Sequence, residues 1–81
     1  MLQVSLTGAF QSAVGGVGVI EIEARTIREL LNRIVERYPR MHQHLDAGIA
    51  VSINGEIYRD NWGVEIPADA EVFLIRRIQG G

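Results

Sequence analysis

The sequence contains no cysteine, and this absence removes several kinds of chemistry at once. Without thiols, the 81-residue chain can form no disulfide, bind no metal through cysteine and perform no thiol catalysis. Net charge is also small: the formal value of -2 lacks the basic excess that nucleic-acid binding needs. No apolar run is long enough for a membrane span, and residues 1–13 do not have a signal-peptide pattern. We therefore expect a cytoplasmic protein that binds neither nucleic acid nor membrane and holds no metal or cofactor.

The composition is that of a folded domain. Apolar residues make up 47% of the chain and charged residues 22%, both close to the values of globular proteins. A chain of this length suits a single domain with a small core. We expect one domain over residues 1–81, with a flexible C-terminal tail over residues 76–81.

Alternating or wholly apolar segments predict the β-strands. These segments are residues 2–7, 17–24, 49–53, 56–58 and 71–75. The first two are predicted to form a hairpin whose long loop includes residues 9–16. Asn54-Gly55 is the sequence signal for a tight turn between the third and fourth strands. The last segment is apolar on both faces, which predicts a central strand.

One main helix is predicted between the second and third strands. Thr26 and Glu29 have capping-box spacing at its start, and Pro39 ends it. The intervening apolar residues form a single stripe that needs a sheet to cover it. Residues 40–48 are predicted to connect this helix to the third strand. The sequence thus predicts an α+β fold, with a mixed sheet of four to five strands packed on one main helix.

The last two residues, Gly80 and Gly81, indicate a candidate functional group in the terminal carboxylate. Glycine has no Cβ, so a partner's backbone can approach such a tail closely. A carboxylate is a poor acyl donor and must first be activated, for example as an acyl-adenylate. Sulfur that displaces the adenylate would leave a thiocarboxylate. Because the chain has no thiol, it could carry sulfur only in such a group. A frayed end with incidental glycines is the alternative.

The sequence resembles the ubiquitin-like sulfur carriers, namely the small subunit of molybdopterin synthase and the thiamine-biosynthesis sulfur carrier. The tail from Arg76 to Gly81 is also similar to the basic, diglycine-ending tail of ubiquitin. Asp69-Ala70 and Arg76-Arg77 stand where molybdopterin-type carriers often have Gly-Asp and Pro-Pro, so the branch of the family stays open. The matching stretches are residues 26–31, 38–39, 51–56, 67–72 and 80–81.

This resemblance implies a β-grasp fold and a role in sulfur transfer. Gly81 would be adenylated by an E1-like enzyme that uses ATP, and then converted to a thiocarboxylate, with Gly80 as a slim lead. The sulfur would enter cofactor biosynthesis, with molybdopterin as the first expectation and thiamine as the second. The chain would have no self-contained active site. It would work with the E1-like enzyme and with a larger catalytic subunit or another sulfur-accepting enzyme, as the small subunit of a sulfurtransferase such as molybdopterin synthase does.

The resemblance also implies a docking surface on the last strand. Phe73 and Ile75 would point outward and anchor a partner, together with Arg76, Arg77 and Ile78. The alternatives are that another element covers this face, and that the two arginines only solvate the tail.

Two rival functions remain open at this stage. An activated Gly81 could instead form an isopeptide bond to a lysine of a target, as a protein modifier does. The chain could also be a non-covalent β-grasp adaptor. Other motifs favour structural roles. Residues 15–18 are predicted to form a flexible loop, His42 and His44 to lie on a surface loop, and Trp62 to be a partly buried plug at the sheet edge.

Overall fold

A five-stranded mixed sheet with its helices on one face forms the domain, as the computed structural model of residues 1–76 shows. The predicted α+β architecture with one main helix is therefore confirmed. The helices and strands, in chain order, are β1 (Leu2–Leu6), α1 (Gly8–Gln11), a 3-10 turn (Ser12–Val14), β2 (Val19–Ile22), α2 (Ile27–Arg37), α3 (Met41–Ala47), β3 (Ile49–Ile53), β4 (Glu56–Tyr58) and β5 (Glu71–Arg76).

Strand β5 lies at the centre of the sheet, as its apolar pattern predicts. The strand order is β2-β1-β5-β3-β4, with β5 parallel to β1 and antiparallel to β3. The side chains of Val72 and Leu74 are wholly buried between the sheet and the helices. Because side chains alternate along a strand, Phe73 and Ile75 lie on the opposite face.

The start of α2 is fixed by local hydrogen bonds. The hydroxyl of Thr26 accepts the backbone N–H of Glu29 at 3.2 Å, as a capping box requires. The Glu29 carboxylate reaches back to the N–H of Arg25 at 3.0 Å, one residue before the cap. The predicted cap is confirmed, and the helix ends at Arg37, just before Tyr38-Pro39.

The loop before β5 satisfies the remaining N–H groups at this helix end. Ile27 donates to the carbonyl of Val64 at 3.1 Å, and Arg28 donates to the carbonyl of Trp62 at 2.9 Å. The first N–H groups of a helix have no partner within it, so this loop completes the cap. Trp62 is half-buried against the core, in the position of the predicted plug.

The prediction of a loop over residues 9–16 is wrong. A short helix and a 3-10 turn occupy most of it, and Phe10 and Val14 are buried in the core. The connection ends in Gly15 and Gly16, whose positive φ values turn the chain back toward β2. The segment folds because its two apolar side chains, four residues apart, are on one helical side and cover the end of the core.

The prediction of a connecting segment over residues 40–48 is also wrong for most of its length. Residues Met41–Ala47 form α3, and the side chain of Met41 is fully buried. His42 and His44 therefore lie on a helix rather than on a surface loop. Met41 and Leu45 are one helical turn apart, and both pack into the core, which stabilises this short helix.

The turn between β3 and β4 has the predicted form. Asn54 and Gly55 both have positive φ values, 51° and 87°, as a two-residue hairpin turn requires. Ile53 pairs with Glu56 across the turn, and Glu56 is exposed at the rim. All five residues of strand β3 are buried, although apolar and polar residues alternate at Val51, Ser52 and Ile53.

Candidate functional site

Strand β5 is the last described element of the chain. Arg76 pairs with Ile49 and is exposed there, and it is the last residue that the structure describes. The predicted site residues Arg77, Ile78, Gly80 and Gly81 lie outside the described residues. The structure therefore fixes the position from which they follow: the end of the central strand.

A row of side chains on the outer face of the sheet crosses all five strands. Consecutive pairs in the strand registers are Val19 with Ser5, Ser5 with Phe73, Phe73 with Ser52, and Ser52 with Ile57. We call these five residues the outer row. Its larger members are exposed: 51% of Val19, 36% of Phe73 and 53% of Ile57. Three partly exposed apolar side chains in one row across a sheet form a surface of the kind that binds proteins.

On β5, the next residue on the outer face after Phe73, toward Arg76, is Ile75. It is half-buried and pairs with Ala50, whose small side chain is buried. Phe73 and Ile75 thus lie next to each other on the outer face, beside the smaller residues Ala50 and Ser52 of β3. Their role in docking stays a prediction. Because these two neighbours are small, Phe73 and Ile75 protrude from this surface.

Charges of opposite sign lie on the two sides of the outer row. Two positions before the outer row, on the side away from the end of β5, Gln3 pairs with both Glu21 and Glu71. This border of the outer row is therefore acidic. Arg59 follows β4 on the other border, near the point where the described chain ends. Along the direction of β5, the face therefore passes from an acidic pair, through apolar side chains, to Arg59, which Asp60 follows in the chain.

Arg76 does not join Phe73 and Ile75 on the outer face. Its partner in the ladder, Ile49, is a core residue, so alternation places Arg76 on the helix side of the sheet. Arg76 is nevertheless exposed, because it lies at the very end of the strand. The predicted anchor residues therefore divide into an apolar pair on one face and an arginine at the sheet end.

The two histidines do not form a metal site. The Nδ1 of His42 lies 3.1 Å from the Oδ2 of Asp46, one turn along an exposed part of α3. The ring of His44 instead stacks edge-on against Phe10, with centroids 5.1 Å apart. Among residues 1–76, no three metal-ligating side chains lie close enough to share an ion. His42 and His44 are thus committed to separate local contacts.

The described interior offers no polar site. Over residues 1–76, every buried side-chain nitrogen or oxygen has a hydrogen-bond partner, so no orphaned group marks a catalytic centre. On the surface, hydrogen bonding to Glu56, together with burial and the charge of that carboxylate, raises the pKa of Tyr58. The phenol is therefore protonated at neutral pH and has no use as a base.

No helix within residues 1–76 combines the length and the apolar character needed to cross a bilayer.

Comparison with known proteins places the chain in a family. The model of the ThiS family matches residues 4–81, which is nearly the whole chain and includes Gly80 and Gly81. No curated protein sequence matches.

Solved structures share the fold at low sequence identity. The chain is similar to CysO in the BexX/CysO complex of Amycolatopsis orientalis, with a TM-score of 0.80, 18% identity and 100% of both chains covered. It is also similar to a putative molybdopterin converting factor, subunit 1, from Pyrococcus furiosus, with a TM-score of 0.78 and 23% identity over 95% of this chain and 97% of that one. A third similar structure is Mycobacterium tuberculosis CysO, with a TM-score of 0.80 and 12% identity over 96% of this chain and 100% of that one. The predicted β-grasp fold is confirmed.

Proposed function

Because the chain belongs to the ThiS family of ubiquitin-like sulfur carriers, we propose that it carries sulfur as a thiocarboxylate on Gly81. The observation that carries this proposal is the family match through residue 81, which includes the diglycine. The protein contributes the acyl group, and partner enzymes contribute the catalytic groups.

The proposed chemistry has two steps. An oxygen of the Gly81 carboxylate attacks the α-phosphorus of ATP on an E1-like enzyme, which forms an acyl-adenylate and releases pyrophosphate. A sulfur nucleophile supplied by a partner then attacks the acyl carbon, and the bond to AMP breaks. With hydrosulfide as the nucleophile, loss of its proton leaves the terminus as a thiocarboxylate. With a partner's persulfide, the product is an acyl disulfide, and a thiol must reduce its S–S bond to release the thiocarboxylate. This order turns a poor acyl donor into a carried group that a second enzyme can take.

The architecture supports this proposal because the folded domain can bind a partner while the tail alone takes part in the reaction. Strand β5 is anchored between β1 and β3, so the start of the tail has a fixed position. The five residues that follow Arg76 span at most about 18 Å when fully extended. That length is enough for a terminal carboxylate to enter a partner's active site while the domain stays on the partner's surface.

We also propose that partners dock on the outer row and Ile75. Phe73 is the central member of that row and lies on the strand that leads into the tail. Aromatic anchors near the middle of an interface contribute most to binding. A partner bound there would receive the tail from the basic border of the face, beside Arg59.

The recipient of the sulfur belongs to the same proposal. Molybdopterin synthesis is the first candidate, with the chain as the small subunit beside a larger catalytic subunit, and thiamine synthesis is the second. The fold neighbour described as a putative molybdopterin converting factor subunit supports the first, and the family itself supports the second. The proposed activation consumes ATP, which agrees with a cytoplasmic location.

Exchange of labelled pyrophosphate into ATP tests the activation step. The purified chain is mixed with ATP, labelled pyrophosphate and the E1-like enzyme of the same cell. We expect exchange with the intact chain and none with a chain that lacks Gly81. Equal exchange with both chains would contradict the proposal. Lysine-linked adducts formed after activation would instead favour the protein-modifier function.

A further inference from the structure

All eight basic residues of the chain are arginines, and lysine is absent. Cysteine is absent as well. The chain therefore has no side-chain amine and no thiol, the two side-chain groups that attack activated acyl carbons most readily. The inference that follows rests on the proposed activation of Gly81.

We propose that the lack of lysine makes the chain a donor only, because it keeps an activated Gly81 from being consumed by the protein's own amines. In the excluded reaction, a lysine Nζ attacks the acyl carbon of Gly81. A C–N bond forms, the C–O bond to AMP breaks, and the amine loses a proton to solvent. The product is a dead-end amide that can accept no sulfur.

Arginine supplies the charge of lysine without its nucleophilicity. The guanidinium stays protonated in proteins at any mild pH, whereas a lysine side chain has a small neutral fraction there. Arg59 can therefore make the border of the outer face basic, close to the tail, without endangering the acyl group. Charge and chemical inertness are combined in one side chain.

The sheet geometry shows where a lysine would do the most harm. Ile75 pairs with Ala50 across one strand spacing, and Tyr58 pairs with the next residue of β3, Val51. Arg59 directly follows Tyr58, the last residue of β4, so its backbone lies near the level of Ala50, about 10 Å from Ile75 at two strand spacings. The tail can span about 18 Å, so an amine at position 59 is within its reach.

The opposite end of the sheet is out of reach. Val4 pairs with Val72, so Leu2 is level with residue 70, about 20 Å from Arg76 along the strand. Arg33 lines a groove with Leu2 and Met1 at that end. The α-amino group at Met1 therefore lies beyond the span of the tail, and an amine at position 33 could be approached only by a nearly fully extended tail. Position 33 supplies a matched control.

A chemically activated chain tests the proposal without any partner enzyme. The protein is prepared with a C-terminal thioester on Gly81, as wild type, Arg59→Lys and Arg33→Lys. Each is held at about pH 8.5, where roughly 1% of lysine side chains are neutral. Intact mass spectrometry then follows the thioester, and peptide mapping locates any new amide bond.

We expect the Arg59→Lys thioester to disappear at least several times faster than that of wild type, with an amide joining residues 59 and 81. A five-residue connection holds the reacting groups at an effective concentration of about millimolar or above, which favours this ring closure. Arg33→Lys should lose its thioester at the wild-type rate, by hydrolysis. Wild type with added free lysine should form the intermolecular amide, which shows that the thioester is reactive.

Two results would overturn the proposal. If Arg59→Lys keeps its thioester as long as wild type does, the lack of lysine does not protect the activated acyl group. If wild type acylates itself, the chain is not inert. Neither result depends on ATP or on an activating enzyme, so failure here is distinct from failure of the proposed sulfur-carrier function, which the pyrophosphate exchange reports.

Discussion

Asn54 and Glu71 hydrogen-bond each other twice. The backbone N–H of Asn54 donates to the Glu71 carbonyl at 2.9 Å, and the N–H of Glu71 donates to the Asn54 side-chain oxygen, also at 2.9 Å. The pair ties the β3–β4 turn to the first residue of β5. Since side chains alternate along a strand, a fixed first residue determines which side chains of β5 reach the outer face.

Replacing Asn54 should therefore destabilise the domain. Asn54→Ala removes one hydrogen bond and places alanine at a φ of 51°, a conformation that asparagine tolerates better. We expect a loss of about 1–3 kcal/mol in the free energy of unfolding, measured by urea denaturation. Asn54→Asp, which keeps the acceptor, should lose less. Asn61→Ala at an exposed loop position is the control, and an equal loss there would contradict this role of Asn54.

A core test concerns the segment that the sequence patterns missed. Phe10 is buried in α1 and touches His44 of α3 edge-on. Phe10→Ala should lower the free energy of unfolding by about 3–5 kcal/mol through the cavity that it leaves. Ala9→Ser, at the exposed neighbouring position, is the control for effects of sequence change in α1. A loss below about 1 kcal/mol for Phe10→Ala would show that α1 does not close the core.

The start of α2 was predictable because its signals are local. Thr26, Glu29 and Pro39 act within a few residues of themselves, so their positions in the sequence suffice to place both ends of the helix. The turn at Asn54-Gly55 was predictable for the same reason. The alternation in β1 also identifies its inward residues correctly, Leu2 among them, whereas the inward position of Leu74 in β5 follows from the resemblance.

The elements that were missed depend on tertiary contacts. Phe10 and Met41 are isolated apolar residues in short segments, and such segments become helical because the core accepts these side chains. Strand β3 is a second case. Ser52 reads as a solvent-facing residue, yet its neighbours in the ladder, Phe73 and Ile57, are larger and bury it. The outer row itself depends on strand register, which the sequence alone does not determine.

The docking role of the outer row predicts a loss of partner binding that a change in stability does not account for. Phe73→Ser should reduce binding to the activating enzyme by tenfold or more, or about 1.4 kcal/mol, because the anchor is removed. Because Phe73 is only 36% exposed and packs beside Ser52, the substitution also lowers thermal stability, and binding is therefore compared at a temperature where both chains are folded. His42→Ser, exposed on α3, is the control. Unchanged binding by Phe73→Ser, measured by calorimetry, would remove the outer row from the interface.

Arg37 predicts a different kind of effect, on self-association. Its Nη1 donates to the carbonyl of Glu21 at 3.0 Å, on the free edge of β2, and its guanidinium lies 5.5 Å from the centre of the Tyr38 ring. A charged side chain over an edge strand discourages pairing with another sheet. Arg37→Ala should therefore raise the fraction of dimer or larger species in sedimentation velocity at high concentration. If Arg40→Ala, the control, raises it equally, the effect comes from net charge and not from the edge.

The most direct test of the central claim is the mass of the intact chain after sulfur loading. The protein is incubated with ATP, a sulfide source and lysate of its own cells, beside a chain that lacks Gly81. The account predicts a product in which one oxygen is replaced by sulfur, located on Gly81 by peptide mapping and absent from the truncated chain. An unchanged mass, in a lysate whose activating enzyme exchanges pyrophosphate with the intact chain, would contradict it.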